Sequence, residues 1–195
     1  MIAVWILIAG LVLFLGCHSV RIVADDWRSA QIERFGALGW RAGYSLVAAL
    51  GLALIVVGYG AARAHPVDLW LPPAAMRHIT ALLMLPTFVL LAATYVPGSR
   101  LKAKVRHPMM LGVKLWALSH LLTNGRVADV LLFGSFLVWA IFAFRAARRR
   151  DRAAGNPALP LHAGRDVLTS LVGIFAWIIF ALWLHGPLIG VRPFG

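Results

Sequence analysis

The sequence predicts an all-α fold: a polytopic membrane helix bundle of about six transmembrane helices, with five as the alternative count. Three observations carry this. Of 195 residues, 61% are hydrophobic and only 13% charged, whereas about a quarter of a soluble chain is charged. Uncharged stretches at residues 1–20, 42–62, 78–99 and 167–191 match the roughly 20 residues needed to cross the hydrocarbon. Lysine and arginine also alternate between connections. Residues 21–41, 100–106 and 145–165 hold four, four and six, against two in 63–77, one at Arg126 and one in the tail. That is the positive-inside pattern, and it places both termini on the outer side. The net charge of +12 is thereby a topology signal, and a nucleic-acid partner is not expected. Residues 1–195 read as a single domain.

The elements follow in order. The first helix spans about Ile2 to Val20 and ends in Gly16-Cys17-His18-Ser19. It lacks a basic leader and a small-residue cleavage site, so it reads as a retained helix. Cys17 is the one cysteine, so no intramolecular disulfide forms. In the connector that follows, Asp25-Asp26-Trp27-Arg28 reads as the start of an interfacial helix, with acids near its N-terminal dipole. A second helix, about Trp40 to Ala61, carries Gly43, Gly51, Gly58 and Gly60, and small residues let membrane helices approach closely. Residues 62–77 read as an ordered, non-helical surface segment. The third helix starts near Ala75 and holds Pro86, a kink, beside Thr87. Arg100, Lys102, Lys104 and Arg106 form a basic connection suited to anionic lipid.

The centre of the chain is RHPMMLGVKLWALSHLLTNGR, residues 106–126. Pro108 suits a first helical turn, where its missing N–H costs nothing, and Asn124-Gly125 is turn chemistry. This helix and residues 130–144 read as a hairpin. Lys114 lies two turns from His107 and shares its face, whereas His107 and His120 are about 140° apart around a helix. A Gly/Pro-containing linker precedes Asp166, which starts the last helix, and His185 lies near that helix's end. Ionisable groups inside a span are costly and presumed functional.

Motifs for hydrolysis or nucleotide binding are absent. What remains is histidine, seven residues in an apolar chain. Imidazole ligates haem iron, copper or zinc. Bis-histidine haem needs two imidazoles and no acid, which suits spans without paired carboxylates. Depth along the helices matches His120 best with His185 or His78. The plain alternative is interfacial histidines bonded to backbone or headgroups.

Four segments carry a family resemblance: GCHSVR with DDWR downstream, the RHP…H…NG block, LLFGSFLVWAIF and the tail LHGPLIG. The chain resembles the NnrU family of bacterial inner-membrane proteins and the related plant and cyanobacterial 15-cis-zeta-carotene isomerase. The resemblance implies a multi-pass inner-membrane protein linked to denitrification and to nitrite and nitric oxide metabolism, and the charge alternation then puts its termini in the periplasm. The isomerase binds haem b, and its ligands match His18 and His120. Its RHP histidine matches His107 and its tail histidine His185, which stand as alternates. It has a cysteine where this chain has Ala117, so redox-dependent ligation through that thiol does not carry over. Lys114 and Arg106 are the cations that suit haem propionates. Nitric oxide or an apolar polyene would be the ligand, and a reductase a possible partner. Two alternatives stand: a cofactor-free membrane accessory protein for a reductase, and a haem-dependent cis-trans isomerase of a polyene. Enzymatic activity is undecided.

Overall fold

The computed structural model describes residues 1–194. It is mostly helical, and among the described residues its only β pairing is a single antiparallel bridge, Asp68 with Arg126. The helices are α1 Ile2–Val23, α2 Asp25–Ala64, α3 Met76–Tyr95, α4 Arg100–Val105, α5 Pro108–Thr123, α6 Val127–Ala153, α7 Arg165–Ile179 and α8 His185–Ile189, with a π-helical turn at Phe180–Leu184. Five segments are long and apolar enough to span a bilayer: α1, α2, α3, α6 and the continuous run Arg165–Ile189. The chain is a multi-pass membrane protein. The sixth expected span is α5, and its 16 residues reach about 24 Å at 1.5 Å per residue. That falls short of the roughly 30 Å hydrocarbon core, so five is the count by length.

The chain divides into two compact units. The first holds residues 1–70 and 125–143. Within it, α1 and α2 pack as a close antiparallel-style hairpin through glycine. A Cβ on Gly51 would lie 2.7 Å from Phe14 N, one on Gly10 would lie 2.6 Å from Ile55 N, and one on Gly58 would run into the Leu7 backbone. Gly43 and Gly60 face open space. Two of the four glycines in the second helix therefore set the approach. The region between Asp25 and Arg41, expected as a connector, is already helical. Gly36, at φ 74° and ψ 160°, breaks α2 into a short amphipathic piece and the spanning piece.

Residues 65–70 are ordered without being helical, as expected, because they are pinned to the Asn-Gly turn. Leu69 N and Trp70 N donate to Gly125 O at 2.8 and 3.2 Å, and Val127 N donates to Val67 O at 2.9 Å. A Cβ on Gly125 would strike the Trp70 carbonyl oxygen. Asp129, 3% exposed, accepts from Tyr59 Oη at 2.7 Å and from Arg126 N at 3.2 Å. The start of α6 is thereby tied to α2.

The second unit holds residues 71–124 and those from 144 onward. Here α3 packs against both α5 and α7. Thr80 Oγ1 donates to Ser119 O at 2.7 Å across α3 and α5. Thr87, beside the in-helix Pro86, is fully buried and donates to Leu83 O at 2.9 Å. Residues 100–105, expected as a loop, form the short helix α4, with Ser99 Oγ accepting from Lys102 N at its start. Pro108 occupies the first turn of α5, where its missing donor is harmless.

Candidate functional site

His18 lies on the last turns of α1, in the first unit. Its Nδ1 is 2.6 Å from the carbonyl oxygen of Phe14, one turn back. A carbonyl only accepts, so Nδ1 carries a proton and Nε2 is the nitrogen left to face a ligand. This is the tautomer that a metal-ligating imidazole uses, with the far nitrogen oriented by a backbone carbonyl. Aromatic rings surround it: Phe14 stacked at 4.3 Å, Tyr44 tilted at 5.2 Å and Trp139 edge-on at 6.0 Å. The Trp139 Nε1–H is buried with no hydrogen-bond partner, the sort of orphan that calls for an explanation. Cys17 Sγ donates to the same Phe14 carbonyl at 3.1 Å.

His120 belongs to the second unit, on the last turn of α5. It repeats the local device of His18. Its Nδ1 donates to Trp116 O, one turn back, at 2.9 Å, and its ring lies 5.6 Å from the Trp116 ring. Each histidine thus has an aromatic residue at i−4 whose carbonyl fixes its tautomer. Ala117, where the resembling isomerase has cysteine, is fully buried. His185 is also held through Nδ1, by Val191 O at 2.6 Å, and is half-buried. His78 lines an apolar cavity of about 220 Å³ with Ala81, Leu82, Leu85, Trp177 and Phe194.

His107 has a different role: it stands at the N-cap position of α5 without a side-chain cap bond, and its ring serves a carboxylate. Its Nε2 lies 2.9 Å from Asp151 Oδ2. The same oxygen is 3.4 Å from Arg148 Nη1 and 3.8 Å from Arg106 Nη1. Arg106, at φ 63°, also donates to the carbonyls of Asn156 at 3.1 Å and Pro157 at 3.3 Å. Of the two cations offered to propionates, Arg106 is thus already engaged by its own chain. Lys114 places its ammonium 4.0 Å from the Phe144 ring centre, and His107 meets that ring edge-on at 6.2 Å. The shared face of His107 and Lys114 is realised on one aromatic ring. We expect Asp151→Asn to cost about 1 kcal/mol, because these partly exposed pairs are solvent-screened. Faster proteolysis of the 154–164 linker would report it, and an unchanged rate would contradict the hub role.

Sequence reasoning nominated His18 but missed Tyr44 and Trp139, which reach it from distant segments. The i−4 aromatics, Phe14 and Trp116, were readable as a repeated spacing. Among the described residues there is no group of three or more His, Cys, Asp or Glu placed to hold a metal ion.

No curated protein and no solved structure matches the chain. A family model described as NnrU protein matches residues 6–193, nearly its whole length. A match of that extent fixes kinship: the chain belongs to the NnrU family.

Proposed function

We propose that this chain is a haem b-binding protein of the bacterial inner membrane that serves nitrite and nitric oxide metabolism, with α5 as a short sixth crossing that leaves both termini in the periplasm. By the family resemblance, His18 and His120 are the residues that would hold the group. The observation that carries the reading is the His18 imidazole, its tautomer fixed by Phe14 O at 2.6 Å within an aromatic enclosure. The donor chemistry fits haem: imidazoles in apolar surroundings, with no acid or thiolate required. The family resemblance supports the same pair. The inner-membrane placement rests on the family resemblance, and the orientation on the alternation of basic residues.

Bound haem would supply one-electron chemistry and a site for nitric oxide. The chain's own residues do the rest. The Phe14 and Trp116 carbonyls hold each imidazole in the ligating tautomer. Phe14, Tyr44 and Trp139 exclude water around His18, and a dry surround governs the potential of a metal centre. The test is spectroscopic. Purified His18→Ala and His120→Ala are expected to lose the sharp reduced α and β bands or to turn high-spin, while His185→Ala keeps them. Loss in His185→Ala alone would transfer the ligand role to that histidine.

A further inference from the structure

The basic end of the second unit carries more positive charge than its acids neutralise. Asp151 is the one carboxylate in the cluster, and its Oδ2 already serves His107, Arg148 and Arg106. Lys114 is half-buried on α5, seated on Phe144 at 4.0 Å. Arg145 directly follows Phe144 on α6 and is exposed, so the two cations border the same aromatic residue. Among the described residues neither has a hydrogen bond or an ion pair with an acid. Two cations side by side with no anion between them are unfavourable unless an anion comes from outside.

We propose that Lys114 and Arg145 form a binding site for the phosphate of an anionic phospholipid headgroup. The argument is independent of haem. A strongly hydrated ammonium held against an aromatic ring gives up part of its water shell, and a phosphodiester oxygen restores that interaction. Arg145 supplies planar donors suited to the same phosphate. A bilayer surrounds the helices, and basic residues at its surface attract anionic lipid, so a lipid is the oxyanion present at highest local concentration. A haem propionate offers the same charge chemistry. The assignment here is to lipid, and the experiment separates the two sources.

The protein is reconstituted in nanodiscs of phosphatidylcholine with 20–30% phosphatidylglycerol, a composition chosen roughly to mimic a moderately anionic leaflet. Lipid retained after transfer to detergent is counted by native mass spectrometry for the wild type, Lys114→Gln, Arg145→Gln and the double variant. Arg34→Gln in the first unit is the control. The wild type is expected to retain phosphatidylglycerol over phosphatidylcholine. Each site substitution should weaken retention about fivefold, from the roughly one unit of lipid attraction per basic residue, and Arg34→Gln should not. Circular dichroism checks that each variant is folded, and substituting polar for partly exposed cations leaves the core intact. Equal retention in the double variant and the wild type overturns the proposal. So does displacement of the lipid by millimolar inorganic phosphate, which would make this a free-phosphate site. A Lys114→Gln protein that loses haem while keeping its lipid would assign the ammonium to a propionate, and that outcome overturns it as well.

Discussion

Gly58→Ala is expected to destabilise the first unit by about 3 kcal/mol, the upper end for overpacking. The added methyl has nowhere to go. It would meet the backbone of Leu7, a fully buried residue, and Ile6 C at 2.9 Å. Backbone cannot swing aside as the tip of a flexible side chain can, so α1 and α2 must separate. Without a hydrophobic effect between helices in lipid, their association depends on this close van der Waals approach. Gly60→Ala is the internal comparison. It faces open space, and alanine is a better helix former than glycine, so it should be neutral or slightly stabilising. Unfolding in mixed detergent–SDS micelles measures both. Equal effects at positions 58 and 60 would contradict the packed crossing.

The second large effect is Asp129→Ala, expected to cost about 3 kcal/mol as two hydrogen bonds to a charged acceptor are lost and their buried donors stranded. Tyr59 Oη and Arg126 N both depend on this carboxylate. Asp129 is 3% exposed, so water does not readily replace it. Tyr59→Phe removes one bond and leaves the second, and should cost about 1 kcal/mol. The ordering Asp129→Ala well above Tyr59→Phe is the checkable result in the same unfolding assay. A variant with wild-type stability would show that the carboxylate is not anchoring the start of α6.

The parts of the fold that were legible in the sequence are those decided locally. Pro108 and Asn124-Gly125 mark the ends of α5 because ring closure and turn conformation act within a few residues. The spans follow from hydropathy, which reports the solvent each residue must face. The glycines of α2 announced close packing in kind. Which of them pack depends on the rotation of α1 against α2, and only Gly51 and Gly58 meet it. The Gly36 break was hidden because glycine is compatible with both helix and its interruption.

The candidate site divides in the same way. His18 and His120 stood out by residue type, and their carbonyl locks are one-turn features of the helix. Tyr44 and Trp139 reach His18 from 26 and 121 residues away in sequence, so no local pattern encodes them. In the sequence Asp151 is simply one acid in a run of arginines. Its role as the partner of His107, 44 residues earlier, appears only when α6 is placed beside the start of α5. The basic connection at 100–106 hid a helix because its hydrophobic content is too low to advertise one.

The measurement that tests the central claim most directly is the haem-to-protein ratio of the wild type, purified in detergent from cells supplied with haem precursor. It is read as a pyridine haemochrome beside oxidised and dithionite-reduced spectra. A ratio near one, with a Soret band and sharp α and β bands on reduction, is the predicted result. Protein that is folded by circular dichroism yet shows no Soret band, and takes up no added haemin, would contradict it. In that case the cofactor-free accessory reading would account for the glycine-packed hairpin and the basic surfaces.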